Sequence, residues 1–324
     1  LSATIDYRLS RPPVAREREV EIAPRILREL VLVAPDDVRA GEPMARHTSF
    51  GLGGPADVYI AAAGERAFKE CLRILSDEGV PVVVFGKGTN VLVRDAGVDG
   101  AVVATERAFT DLVRTDEGLT AGSGVTLTRA LSFCVEEGLS GIEELAGIPG
   151  TIGGGVVTNA GSFGISLTDR VSSVIVFRPG GAPIALPRED LRTTYRRTEL
   201  PAGGVVESVT LKLDRAEGGS VRERQQATLE RKWKAQPAGM RSAGCVFKNP
   251  SGNAAGRLID EAGLKGTRIG GAVVSDLHAN YILNDRGATA EDVEELIDLV
   301  RSRVLEATGV DLELEIEIIG RRVG

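Results

Sequence analysis

From Gly147 to Gly161 the chain reads GIPGTIGGGVVTNAG, and six of these fifteen residues are glycine. Glycine loses more backbone freedom on ordering than any other residue. Such density is therefore tolerated only where the main chain takes unusual dihedrals or lies against something large. A flexible linker would be equally rich in glycine, but Ile148, Ile152, Val156 and Val157 stand among the glycines here, and a linker has no use for them. The stretch is read as an ordered backbone that approaches an anionic ligand through bare N–H groups.

A second glycine turn, Gly86-Lys87-Gly88-Thr89-Asn90-Val91-Leu92, directly follows the apolar run Val82-Val83-Val84-Phe85. A Walker loop needs a glycine at the place that Pro81 occupies, so ATP binding is disfavoured. A glycine turn at a strand end, with Thr89 and Asn90 as side-chain donors, still forms a diphosphate cradle. Gly51-Leu52-Gly53-Gly54-Pro55-Ala56 matches the G-x-G-x-x-A dinucleotide fingerprint. That fingerprint needs a strand before it and a helix after it, whereas here a strand, Asp57-Val58-Tyr59-Ile60, follows; a Rossmann site is rejected.

Hydrophobic spacing organises the rest. A short helix is expected over 23–34, a loop from Pro35 to Phe50, and a parallel βαβ unit from strand 57–61, helix 65–78 and strand 82–85. Short strands alternate with turns from Ala101 to Ala121, and an amphipathic helix over 127–137 closes at Gly138. Strands follow at 171–177, 183–186 and 205–213, then a charged helix over 221–234. Asn253 is read as the cap of a helix carrying Leu258 and Ile259. Thr289, with Asp292 three residues on, caps the longest helix, which runs to Gly309. The chain then alternates acid and hydrophobe as a strand from Asp311 to Glu317, while residues 1–22 read as a mobile extension.

The 324 residues suffice for two or three domains with a sizeable core, and 42% hydrophobic with 26% charged residues is ordinary for a soluble protein. A net charge of −7 argues against general nucleic-acid binding, so an anion would have to be held locally. No run of about 18 apolar residues predicts a membrane span, and no signal-peptide pattern is read at the start. Cys71, Cys134 and Cys245 fit neither a disulfide framework nor a zinc site, which points to a reducing, cytoplasmic setting. With only His47 and His278 present, a metal centre is not expected.

Taken in order, these motifs resemble the UDP-N-acetylenolpyruvoylglucosamine reductases, the MurB family. The resemblance runs from His47 to Gly320. It rests on Thr48-Ser49-Phe50, Gly86 to Leu92, Gly147 to Gly161, Tyr195-Arg196, Ala243-Gly244-Cys245-Val246-Phe247-Lys248-Asn249-Pro250, Ala262-Gly263-Leu264-Lys265-Gly266 and Leu312 to Gly320. It implies an α+β fold: an FAD-binding domain of the p-cresol methylhydroxylase type in two α+β subdomains, 23–98 and 99–220, with 311–324 returning to the second. A separate α+β substrate-binding domain would occupy 221–310. It further implies a cytoplasmic, monomeric enzyme of peptidoglycan precursor synthesis. That enzyme would use FAD and NADPH to reduce UDP-N-acetylenolpyruvoylglucosamine to UDP-N-acetylmuramate, without nucleic acid or membrane insertion.

Carried over residue by residue, the resemblance implies that FAD is held by Thr48, Ser49, Phe50, Gly86, Lys87, Gly88, Thr89, Asn90, Val91, Gly147, Ile148, Pro149, Gly150, Gly153, Gly154, Asn159 and Gly161. Tyr195, Lys248, Asn249 and His278 are implied to touch substrate, nicotinamide or pyrophosphate. Between Pro250 and Ala255 there is no room for the long tyrosine-bearing loop of some members, so the chain resembles the shorter subtype. Thr198 stands where a serine is common, and keeps the hydroxyl.

The chemistry needs a cation and a proton donor, because hydride addition to an enolpyruvyl carbon leaves negative charge on its neighbour and on the carboxylate. Arg196 fits the cation, since a guanidinium grips a carboxylate with two parallel bonds. Cys245 aligns with the family's proton donor, more often a serine; a thiol is the better acid, so proton delivery survives the change. The resemblance singles out Glu315 as the catalytic carboxylate, on a strand face shared with Asp311, Glu313 and Glu317. A flavin oxidase of the same fold and a non-catalytic nucleotide-binding module are the competing readings.

Overall fold

The computed structural model describes residues 22–322. The extension read over 1–22 lies outside these residues except for Ile22, which is buried in the first of three units.

That first unit is a four-stranded sheet in the spatial order Val38–Pro43, Pro55–Ile60, Val98–Ala104, Val82–Phe85. The last three strands run parallel, and helices α1 (Pro24–Val33) and α2 (Glu65–Asp77) cover one face. Phe68, Cys71, Leu72 and Leu75 recur at helical spacing on α2 and are all buried, so this stripe seats the helix on the sheet. The loop expected over 35–50 contains the edge strand Val38–Pro43, antiparallel to Pro55–Ile60. Arg39, Gly41, Glu42 and Pro43 give it little strand propensity; its partner's backbone makes it a strand. Val98–Ala104 is also central to this sheet, so the first unit continues to Ala104, past the boundary expected at 98.

The second unit is a five-stranded antiparallel sheet ordered Ile184–Pro187, Val171–Phe177, Val205–Lys212, Gly118–Gly122, Leu112–Thr115. Against it lie α3 (Leu127–Glu137), ended by left-handed Gly138, and the short α4 (Ile152–Val157) inside the glycine-rich stretch. Helix α5 (Gly218–Ala235), which the sequence places at the opening of the substrate domain, packs here instead. Gln225 Nε2 donates to Leu131 O at 3.0 Å, and Arg224 pairs with Glu143 at 2.7 Å. Polar anchors rather than an apolar stripe fix α5, which is why periodicity assigns it no partner.

The third unit surrounds α6 (Ala255–Glu261), α7 (Ala290–Thr308) and the strands Arg268–Ile269, Ala272–Val274 and Ile282–Asn284. The Thr289–Asp292 capping box is present, and Val293, Leu296, Ile297, Val300 and Val304 are buried. Asn253 does not cap α6: its Oδ1 accepts from Ala254 N and from Arg257, while Asn249 Oδ1 takes the first helical N–H, that of Ala255, at 3.0 Å. The strand expected over 311–317 is reduced to Glu317–Ile319, although Leu312 and Ile316 are buried where the alternation places them. This strand pairs in parallel with Val91–Val93, so the C-terminal segment returns to the first unit and not to the second.

The third unit is bolted to the first. Asp95 accepts from Ala290 N at 3.0 Å and Glu291 N at 3.1 Å, capping α7 from outside its own unit, and Arg94 pairs with Glu294 at 2.9 Å. Truncating Asp95→Ala orphans two N–H groups at the positive end of a helix dipole. The substitution is expected to lower unfolding stability by about 1–2 kcal/mol, read as a lower urea midpoint by circular dichroism. An unchanged midpoint would mean that water caps α7 equally well.

Candidate active site

All three units line one cavity of about 1310 Å³. The first contributes Gly86 to Val91; the second contributes Gly147 to Gly150, Gly153, Gly154, Gly161 and Arg196, and α5 adds Lys232. From the third unit and the returning chain come Gly244, Cys245, Tyr281 and Glu315.

The two glycine stretches do different work. Among the described residues, no backbone N–H from Gly86 to Asn90 has a protein acceptor. Five consecutive donors at a cavity wall are a nest for an anion. Gly88 holds a φ of +58°, and a Cβ there would collide with the His47 carbonyl, so only glycine shapes this turn. In the other stretch, Ile152 N donates to Val125 O at 2.8 Å, Gly153 N to Ser123 O at 2.9 Å and Gly154 N to Thr151 Oγ1 at 3.2 Å. Gly153 and Gly155 serve close packing: a Cβ on Gly153 would lie 2.6 Å from Ser123 Cβ, and one on Gly155 2.8 Å from the Leu167 side chain. Thr89 Oγ1, donating to Pro149 O at 3.3 Å, ties the two stretches together.

Arg196 occupies the tip of a tight hairpin between Arg192–Thr194 and Arg197–Glu199, with a left-handed φ of +60°. Its Nη1 donates to Gly161 O at 2.9 Å, and its Nε lies 2.7 Å from Glu315 Oε1. The Nε–H is not aimed along that short contact, so the pair is held by charge more than by a formed hydrogen bond. Glu315 is only 15% exposed, largely out of solvent although it shares the expected strand face with Asp311 and Glu313. Burial raises its affinity for a proton and outweighs the opposing charge of Arg196.

Cys245 sits in the same group. Burial, then the Glu315 charge, pushes its thiol up to about 12, against the pull of Arg196 and of hydrogen bonds with Tyr281 and Asn280. Burial also raises the Tyr281 phenol. Lys232 is 5% exposed and donates to Ala146 O at 2.6 Å; burial, aided by Arg196, pulls it down to about 8.

Several residues expected at the site fall outside the cavity lining in this structure. Thr48, Ser49 and Phe50 are outside the lining. Thr48 closes a turn with Leu52, Ser49 Oγ donates to Ser242 O at 2.6 Å, and Phe50 is fully buried in the third unit's core. Ser49 and Phe50 join the first unit to the third, while Thr48 braces its own turn. Asn159 is buried and bonds Thr168 Oγ1 and Thr194 O. Tyr195, Lys248, Asn249 and His278 also stand off the lining: Tyr195 is 51% exposed beside Arg196, Lys248 pairs with Glu313, Asn249 caps α6, and the His278 ring packs edge-on to Tyr281. Conversely, sequence patterns do not single out Tyr281 or Lys232. Neither carries a local signal; both arrive through pairing and packing between distant segments.

Comparison with known proteins bears on this arrangement. Residues 56–186 match the family described as FAD binding domain, and residues 236–319 match the UDP-N-acetylenolpyruvoylglucosamine reductase C-terminal domain. A UDP-N-acetylenolpyruvoylglucosamine reductase of Moorella thermoacetica is 43% identical over 283 residues, covering 87% of this chain and 93% of the relative. One from Geotalea uraniireducens is 39% identical over 291 residues, covering 90% and 97%. The crystal structure of MurB from Thermus caldophilus superposes with a TM-score of 0.74 at 36% identity, covering 87% of this chain and 99% of that one. With matches spanning nearly the whole of both sequences and a shared α+β architecture, the chain belongs to the UDP-N-acetylenolpyruvoylglucosamine reductase (MurB) family.

Proposed function

We infer that this chain is an FAD-dependent, NADPH-consuming reductase that converts UDP-N-acetylenolpyruvoylglucosamine to UDP-N-acetylmuramate for peptidoglycan synthesis. The observation that carries the reading is the meeting of Arg196, Glu315 and Cys245 at a cavity that also presents five uncommitted backbone donors. Membership of a reductase family argues against the oxidase and the non-catalytic alternatives.

The lining fits FAD. The Gly86–Asn90 amides supply donors for a diphosphate without adding charge, and the cavity spans two glycine-rich walls with room for an extended dinucleotide. Held at the Gly86–Asn90 turn, FAD would supply hydride transfer from NADPH to the enolpyruvyl group. Every other demand of the reaction falls on the chain. Arg196 faces the substrate carboxylate with a permanent positive charge, which counts for more at a partly buried site than in water. The Cys245 S–H supplies the proton to the carbon beside the one that receives hydride. With its thiol pushed up to about 12, the donor is loaded at neutral pH. Glu315 shares the charge of Arg196 and, with its raised proton affinity, is placed to stabilise the enol form. Cys71 and Cys134 are buried free thiols, in keeping with a cytoplasmic enzyme, and the reading takes it as a monomer.

Three outcomes are expected. Cys245→Ala should leave flavin reduction by NADPH nearly intact while cutting substrate reduction by about 10²–10⁴-fold; stopped-flow absorbance separates the two half-reactions, and equal losses would remove Cys245 from proton delivery. Arg196→Lys forfeits the two-pronged grip and should slow the substrate half-reaction by about 10²-fold; near-normal turnover would count against it. Lys232 carries its charge below its value of about 8 and loses it as pH rises through that point. The KM for the anionic substrate should therefore climb in mildly alkaline buffer, and Lys232→Arg should flatten the climb. A parent KM independent of pH there would separate Lys232 from anion binding.

A further inference from the structure

Cys245 is held between two segments that each bring a chemical group to it. On one side, Cys245 forms an antiparallel bridge with Tyr281, and Val246 N donates to Asn280 O at 2.9 Å. The Asn280 side chain clamps the next residue at both ends, accepting from Phe247 N at 2.9 Å and donating to Phe247 O at 2.8 Å. On the other side, Glu315 N donates to Val246 O at 2.8 Å. Tyr281 is fixed in turn: Ser275 N donates to Tyr281 O at 2.8 Å, and its ring meets His278 edge-on with centroids 5.0 Å apart. Residues directly opposed in an antiparallel pair bring their side chains within contact, and Tyr281 and Cys245 both line the cavity wall.

This matters because the donor is a thiol. When the S–H bond breaks and a C–H bond forms on substrate, the electron pair stays on sulfur as a thiolate. That anion appears beside the Glu315 carboxyl, a neighbour that opposes it, with Arg196 already engaged by Glu315 and Gly161. We propose that Tyr281 is a positioning residue for Cys245: its hydroxyl donates to Sγ, aims the S–H toward substrate and stabilises the thiolate once the proton has left. Tyr281 itself keeps its proton throughout, and the thiolate recovers one from water after product departs. The proposal rests on the reductase reading above and adds a residue to it.

The test is Tyr281→Phe, which removes one oxygen and keeps the ring. Flavin reduction by NADPH should stay within about twofold, while single-turnover oxidation of the reduced enzyme by substrate slows by about tenfold or more, the scale of a lost hydrogen bond to a charged group. In the Cys245→Ala background the same change should have almost no further effect, because no thiolate remains to stabilise. Undiminished slowing in that background, or no slowing in the parent, would overturn the proposal. A second arm needs no turnover: alkylation of Cys245 by iodoacetamide, followed by peptide mapping, should be several-fold slower in Tyr281→Phe because the thiolate fraction falls. An unchanged or faster rate would also overturn it. A parent protein that never oxidises NADPH would instead undo the reductase reading, leaving the alkylation arm to decide the Tyr281–Cys245 contact.

Discussion

The contact on which the site depends is the charge pair between Arg196 and Glu315, two residues more than a hundred positions apart. Each alone would be poorly placed. Arg196 is a non-glycine residue in the left-handed region, a conformation that costs about 1–2 kcal/mol. Glu315 is a carboxyl taken largely out of water. Brought together at 2.7 Å, with Gly161 O accepting from the same guanidinium, each offsets part of the other's cost. The strain sits at a hairpin tip, where a charged side chain is projected into the cavity and not toward solvent, which fits the pattern that unusual backbone is retained where a site needs it.

The same division of labour governs the backbone. Glycine reads alike in both rich stretches of the sequence, yet hydrogen-bond accounting separates them. Around Gly86–Asn90 the donors are left open; around Ile152–Gly154 they are consumed by Val125, Ser123 and Thr151. The Gly86–Asn90 amides are thus open at the cavity wall, while Gly153 lets the longer stretch pack closely against Ser123.

What can be read from sequence is what depends on short range. The βαβ unit, the amphipathic α2, the Thr289 capping box and the glycine turns all announce themselves within a few residues, and the ordered motifs together are enough to reach the family. Illegible features are those fixed by partners far along the chain. Val38–Pro43 is a strand because Pro55–Ile60 lies beside it. Phe50 faces a core built mostly from residues two hundred positions later, so a motif residue turns out to be a joint. Helix α5 carries too little apolar periodicity to declare which unit it joins, and Tyr281 reaches Cys245 only through a non-local bridge. Glu315 shows both limits at once: its alternation is visible in the sequence, but its burial is not.

The strand Glu317–Ile319 carries a consequence for how the molecule is made. It pairs with Val91–Val93, and Arg321 bonds Asp57 at 2.6 Å, so the last described residues of the chain complete a unit begun by the first. Loop closure over such a span is slow compared with local helix formation. During synthesis the second unit, whose strands and helices all lie between Leu112 and Ala235, has its partners in hand well before Glu317–Ile319 is made. The first unit must wait with Val91–Val93 unpaired until Glu317–Ile319 has been made, which leaves the segment beside the Gly86–Asn90 turn exposed to chaperones or to misassociation on the way.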